Sequence, residues 1–129
     1  MATRIREKTA ARKENKDKRP YAIARHIRIT PAKAGIVLDL IRGKDVDTAI
    51  AILGGTTYAS APVIVKLINS AVANAENNMN LPKDNLYVAE CFANAGPVMK
   101  RLNPRAKGSG NVIIKRTTHI TVILDSKKV

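Results

Sequence analysis

Tryptophan is absent and the aromatic residues make up 3% of the 129 residues, so base stacking on aromatic rings cannot be this chain's main device. Cysteine occurs once, as Cys91. One thiol makes no internal disulfide, and with no CxxC or Cys/His cluster a structural zinc site is not expected; a reducing, cytoplasmic compartment is. Cys91 reads as a small buried side chain in a strand. No apolar run approaches the roughly 20 residues needed to span a bilayer, so no membrane partner is expected. The first nineteen residues lack the apolar stretch of a secretory signal. The enzyme motifs GxxxxGK[ST], HExxH and GxSxG are missing, and no carboxylate pair sits near a strand end. His26 and His119 have no Cys, Asp or Ser partner at motif spacing. The Gly108-Ser109-Gly110 triplet lacks the third glycine and the following helix of a dinucleotide loop, and reads as a flexible tip. The expectation is a protein without catalytic residues, cofactor or metal.

Acidic residues are also scarce, and unevenly so. Lys and Arg number 23 against 10 Asp and Glu, a net charge of +13 with a pI near 10.3. Residues 1–30 hold ten basic and three acidic side chains, residues 31–90 five and six, and residues 91–129 eight and one, so the nets are +7, −1 and +7. A near-neutral middle between two cationic ends describes a folded body with two arms that grip a polyanion. Asp39, Asp45, Asp47, Glu76, Asp84 and Glu90 fall in the neutral part, where helix starts and solvated faces account for them.

Apolar residues make up 45% of the chain, enough for one aliphatic core. Residues 2–20 carry eight basic side chains and one isoleucine, a composition that cannot offset its ordering entropy, and are expected to be disordered when free. From Ile23 a short strand is expected, with Ile23, Ile27 and Ile29 on one side and Ala24, His26 and Arg28 on the other. Thr30-Pro31 starts a helix carrying Ile36, Val37, Leu40 and Ile41 at helical spacing and closed by Gly43. Asp45 or Asp47 starts a shorter one with Val46, Ala49, Ile50 and Leu53, ending at Gly54-Gly55. Ser60 and Pro62 open the longest, whose Ile64, Leu67, Ile68, Ala71, Val72 and Ala75 define one buried stripe; Ala71 and Ala75 leave room for a close backbone. Asn74, Asn77 and Asn78 lie near its end.

The runs Leu86–Ala93 and Val112–Leu124 are strand-like and should pair antiparallel. Between them, residues 94–111 contain Gly96, Pro97, Pro104, Gly108 and Gly110, four basic residues and few large apolar ones. Two strands running on to a tip near Pro104 would make a ribbon of order 40 Å. A bare hairpin of that length is marginal in water, so its order depends on a surrounding surface. The expected architecture is α+β: a small antiparallel sheet of three strands packed on three helices, with a long protruding β-hairpin and a basic N-terminal extension. Residues 1–20 form the extension, residues 21–129 a single α+β domain, and residues 94–111 the distal hairpin.

Without aromatic platforms, the available grip is Lys and Arg on phosphates, hydroxyl and main-chain contacts, and fit to a folded RNA surface. The candidates are Arg4, Arg6, Arg12, Lys13 and Arg19 in the extension, then Arg25, His26, Arg28, Lys33 and Arg42 in the first strand and helix. Lys115, Arg116, Thr117, Thr118 and His119 form the densest donor set, at the hairpin base. If roughly eight cations met phosphates, affinity would fall on the order of a thousandfold or more between low and moderate salt.

The segments Gly96-Pro97-Val98-Met99-Lys100-Arg101, Pro104-Arg105-Ala106-Lys107-Gly108 and Lys115-Arg116-Thr117-Thr118-His119-Ile120-Thr121-Val122 resemble the C-terminal signature of the bacterial large-subunit ribosomal protein L-twenty-two family. Leu38-Asp39-Leu40-Ile41-Arg42-Gly43 is similar to the end of that family's first helix, and Ser70-Ala71-Val72-Ala73-Asn74-Ala75-Glu76-Asn77 to the end of its long helix. The resemblance runs from about Ala22 to Leu124 and departs from the family's usual residues at Ala32, Gly35 and Ser109. It implies a structural constituent of the large ribosomal subunit that binds rRNA and supports assembly. It also implies a hairpin reaching the wall of the nascent-peptide exit tunnel, with Met99, Lys100, Arg101, Pro104, Arg105, Ala106, Lys107 and Gly108 at its tip. The implied partners are large-subunit rRNA, neighbouring ribosomal proteins and the nascent peptide, with no homo-oligomer. A free nucleic-acid-compacting or RNA-chaperoning module shares the charge pattern but predicts reversible binding to generic duplex. A small hydrolase acting on acidic substrates would need a converging acid, base or metal set.

Overall fold

The computed structural model describes residues 2–15 and 17–127. Met1 and Lys16 of the expected extension, and Lys128 and Val129 at the other end, lie outside the described residues. In chain order the elements are α1 (Ala2–Glu14), β1 (Tyr21–Ile27), α2 (Pro31–Ile41), α3 (Val46–Gly54), α4 (Ala61–Met79), β2 (Leu86–Ala95), β3 (Met99–Pro104), β4 (Gly110–Lys115) and β5 (Thr118–Ser126). The fold is α+β. Three strands form an antiparallel sheet in the order β1-β5-β2, and β3 and β4 pair antiparallel as a separate two-stranded ribbon.

The central strand sets the layers. Along β5, Thr118, Ile120, Val122 and Leu124 are buried while His119, Thr121 and Ile123 alternate to the half-exposed face, the period-two pattern of a sheet covered on one side. Helices α2, α3 and α4 supply the cover. The stripe expected on the longest helix is the one buried: Ile64, Leu67, Ile68, Ala71, Val72 and Ala75 all enter the core. Burying each of its large aliphatic members contributes about 1.5–3 kcal/mol. The helix stops at Asn80, whose left-handed φ of 54° lets its N–H bond Glu76 O and the following N–H, from Leu81, bond Ala75 O, each at 3.2 Å. Asn74, earlier in the helix, donates from Nδ2 to the Tyr21 carbonyl at 3.0 Å and ties α4 to β1.

Two faces differ from expectation. On β1 the inward residues are Ala22 and Ala24, whereas Ile23 is exposed. Helix α4 packs on this strand, where the inward side chains are small. The even spacing of Ile23, Ile27 and Ile29 misleads because the strand carries an irregularity: the register shifts between Ala24 and Ile27, and His26 has a φ of 57°. On α2 the core face is Ala34, Val37, Leu38 and Ile41, and Ile36 and Leu40 are 53% and 46% exposed. After α2, Gly43 with φ +74° turns the chain onto the edge of β2, where Gly43 N–H meets Val88 O at 2.8 Å and Val88 N–H meets Lys44 O at 2.9 Å.

Residues 2–14, expected to be unstructured in the free chain, are drawn as helix α1. Ala, Arg, Lys and Glu dominate its sequence, and all are strong helix formers. Residues 3–15 are exposed throughout, so no burial supports it.

Candidate nucleic-acid interface

The stretch expected as one strand, residues 112–124, is broken at Arg116-Thr117, opposite a break at Gly96-Pro97-Val98. The ribbon beyond this joint keeps a strict register from Met99↔Lys115 to Pro104↔Gly110. Six residues at ~3.3 Å each give the paired portion a length of about 20 Å, half the span expected for an unbroken ribbon. Every residue of β4 is exposed, and Leu102, Val112, Ile113 and Ile114 place apolar side chains in solvent, with Leu102 73% exposed. At the tip Arg105 N–H bonds Ser109 O at 2.8 Å and Ser109 Oγ donates to Ala106 O at 2.8 Å, closing a short 3-10 turn with Lys107 and Gly108 at positive φ. Lys100, Arg101, Arg105 and Lys107 are exposed on this ribbon, while Met99 is half-buried.

The joint is built from hydrogen bonds. Gly96 N–H bonds Thr117 O at 2.9 Å, Thr117 Oγ1 donates to Pro97 O at 2.6 Å, and Thr118 Oγ1 donates to Ile29 O. His26 N–H, at the β1 irregularity, donates to His119 Nδ1 at 3.0 Å, and the two imidazoles meet edge to face with centroids 4.7 Å apart. That bond leaves Nε2 of His119 as the nitrogen that carries the proton in the neutral ring. Thr117 and Thr118, expected as RNA contacts, are 4% and 0% exposed with their hydroxyls spent inside the protein. Inside the protein they hold the ribbon to the body.

Beside the joint, Arg28, Lys33, Lys115 and Arg116 line one cleft of about 430 Å³ together with Ile29, Thr30, Ala59 and Ile114. Four candidates from three sequence regions thus converge, with no acidic residue among the lining. A second open cleft, of about 770 Å³, runs between β1 and α4 past Lys18, Arg25, Asn74 and Asn78.

Other candidates are occupied within the protein. Arg19 forms a bidentate pair with Asp17 and bonds Glu90 at 2.8 Å, so both carboxylates hold its charge more firmly, Asp17 first, and Asp17 is lowered below the usual carboxylate range in return. Arg42 bonds Asp39 at 2.7 Å and the Cys91 carbonyl at 3.0 Å, which seals the edge of β2. The carboxylates of the neutral body follow the same logic. Asp45, at the start of α3, pairs with Lys127, and Asp47, in its first turn, pairs with Lys83, whose ammonium it stabilises. Cys91 is buried, bonds Leu38 O through Sγ at 3.3 Å, and its thiol is pushed up by burial. Among the described residues no three His, Cys, Asp or Glu gather as a metal site, and no helix is long and apolar enough to cross a membrane.

Sequence reasoning passed over Lys8 and Lys18. Lys8 stands four residues from both Arg4 and Arg12, a spacing legible once residues 2–14 are read as helix. Lys18 lines the cleft beside β1, and nothing in its local sequence marks it.

The family model for Ribosomal protein L22p/L17e matches residues 22–125, which takes in the sheet, its three covering helices and the whole ribbon. The chain belongs to that family, and is thereby a structural, rRNA-binding component of the large ribosomal subunit.

Proposed function

We propose that the chain anchors its body to rRNA through the cleft at the hairpin base and extends the β3-β4 ribbon along the wall of the nascent-peptide exit tunnel. One observation carries this reading: the ribbon exposes Leu102, Val112, Ile113 and Ile114 together with Lys100, Arg101, Arg105 and Lys107. Such a surface is unfavourable in water where it is apolar and unneutralised where it is basic. Packed folded RNA answers both, because phosphates pair with the cations and sugar and base edges cover the aliphatic groups.

Arg28, Lys33, Lys115 and Arg116 then bind phosphate at the base, while Arg25 and Lys18 do so beside α4. His26 supports the joint through its main chain, and its exposed ring is a further donor. Arg19 and Arg42 act indirectly, by pinning the extension and the β2 edge. At the tip, Met99 to Gly108 stand closest to RNA and to the passing peptide. Neighbouring ribosomal proteins meet the remaining surface, and the assembled particle sets the localisation.

The test is crosslinking from Lys100 and Lys107 in intact large subunits carrying a stalled nascent chain. Crosslinks to tunnel-wall rRNA and to the peptide are expected. Crosslinks confined to rRNA on the outer surface would refute the tunnel placement.

A further inference from the structure

Helix α1 lies outside the family match, and its charges are not scattered around it. At about 3.6 residues per turn, Arg4, Lys8 and Arg12 form one stripe at i, i+4, i+8, and Arg6 and Lys13, seven apart, form a second. Between the stripes lie Ile5 and Thr9. Glu7 and Glu14, also seven apart, fall on the side away from Ile5. All these side chains are exposed, and among the described residues none of the helix charges enters an ion pair.

That arrangement disfavours an isolated helix. Like charges at i, i+4 destabilise by about 0.2–0.5 kcal/mol per pair, and the Arg4–Lys8–Arg12 stripe contains two such pairs. Within the helix neither glutamate has a cation four residues away, and the one three away, Arg4 from Glu7, offsets a single pair at most. A helix of 13 residues without tertiary support is already marginal in water. The stripe becomes favourable when anions line it. Two stripes flanking a narrow, nearly uncharged strip fit anions on two sides at once, as two backbone strands bordering a groove provide. A one-sided anionic surface would engage only one of them.

From this we infer that α1 is an RNA-groove helix: Arg4, Lys8 and Arg12 contact the phosphates of one strand, Arg6 and Lys13 those of the other. Ile5 and Thr9 face the groove floor, and Glu7 and Glu14 point away from the RNA. Beyond the helix, Arg19 pairs with Asp17 and with Glu90 of β2. The inference rests on the rRNA-binding reading of the body and adds a second, oriented contact to it.

The discriminating variant conserves net charge. Exchanging two neighbours, Glu7→Lys with Lys8→Glu, breaks the first stripe and places a carboxylate in it while total charge is unchanged. Binding of the full-length protein to protein-free large-subunit rRNA, to a generic RNA duplex and to a single-stranded RNA is measured by filter retention across a salt series, with helicity checked by circular dichroism. The exchange is expected to weaken binding to both probes at least tenfold at about 0.15 M salt and to lower the slope of log K against log salt by about 1–2. Arg4→Gln, Lys8→Gln and Arg12→Gln together should cost on the order of a hundredfold. Binding by the exchange variant equal to the wild type, with the triple variant weakened, would reduce the helix to a diffuse cationic tail and overturn the inference. Equal weakening on single-stranded RNA and on duplex would also overturn it. Failure of the underlying reading looks different: the wild type itself would not be retained by large-subunit rRNA.

Discussion

Alanine at position 96 should loosen the ribbon from the body. A Cβ built on Gly96 falls 2.5 Å from Thr117 Oγ1 and 3.2 Å from His119 Nε2. Ordinary contact distances of about 3.5 Å or more leave it roughly 1 Å too close to the hydroxyl. Thr117 cannot simply turn away, because its hydroxyl bonds Pro97 O at 2.6 Å and its side chain is buried. Overpacking of this kind costs about 1–3 kcal/mol, and losing the Thr117 bond adds about 1 kcal/mol. Alanine's smaller unfolded-state entropy returns about 0.4–1 kcal/mol. The net expectation for Gly96→Ala is a loss of about 1–3 kcal/mol by urea unfolding, with faster hydrogen exchange at the residue 96 amide, which bonds Thr117 O. Removing the obstacle tests the cause: Gly96→Ala with Thr117→Ala should be less destabilised than the sum of the single changes by about 1 kcal/mol or more. An unchanged unfolding midpoint for Gly96→Ala, or strict additivity in the double variant, would refute the steric reasoning.

Ser60 precedes α4 but makes no capping bond, and its buried Oγ has no partner among the described residues, so Ser60→Ala should be neutral or stabilising by up to about 1 kcal/mol where a true cap would lose about as much. A lower melting temperature for Ser60→Ala would contradict this. Burial raises the Cys91 thiol, so the folded chain holds that proton more tightly than the unfolded chain. This contribution is complete below the unfolded thiol's range and is lost as pH rises toward the folded value; stability should decline on the alkaline side, the decline should flatten in Cys91→Ala, and alkylation should be slow until urea is added. Replacing Arg28, Lys33, Lys115 and Arg116 by Gln should lower the salt slope of rRNA binding by about 3, with the unfolding midpoint nearly unchanged.

Long-range periodicity made α4 legible: six apolar positions over three turns fix a face that no single residue can shift. The pairing of β2 with β5 was legible for the same reason, since alternation persists through Ile120, Val122 and Leu124. Short elements were not. In β1 one irregularity at His26 reverses which residues face inward, and α2 buries Ala34 and Leu38 while Ile36 and Leu40 turn outward. Among the site residues, charge located Arg28, Lys33, Lys115 and Arg116, but their convergence on one cleft depends on chain reversals that composition does not encode. Charge alone also could not distinguish Arg19 and Arg42, consumed by Asp17, Glu90 and Asp39, from cations left facing solvent. Thr117 and Thr118 carried the right donors for RNA, yet the break between β4 and β5 turns both hydroxyls inward.

Amide hydrogen exchange along residues 99–115, compared between the purified protein and the intact large subunit, bears most directly on the claim that RNA completes the ribbon. Exchange in this segment should slow by at least about tenfold in the particle, while amides of β5 change little. Equal exchange rates of the ribbon in both states would contradict the account.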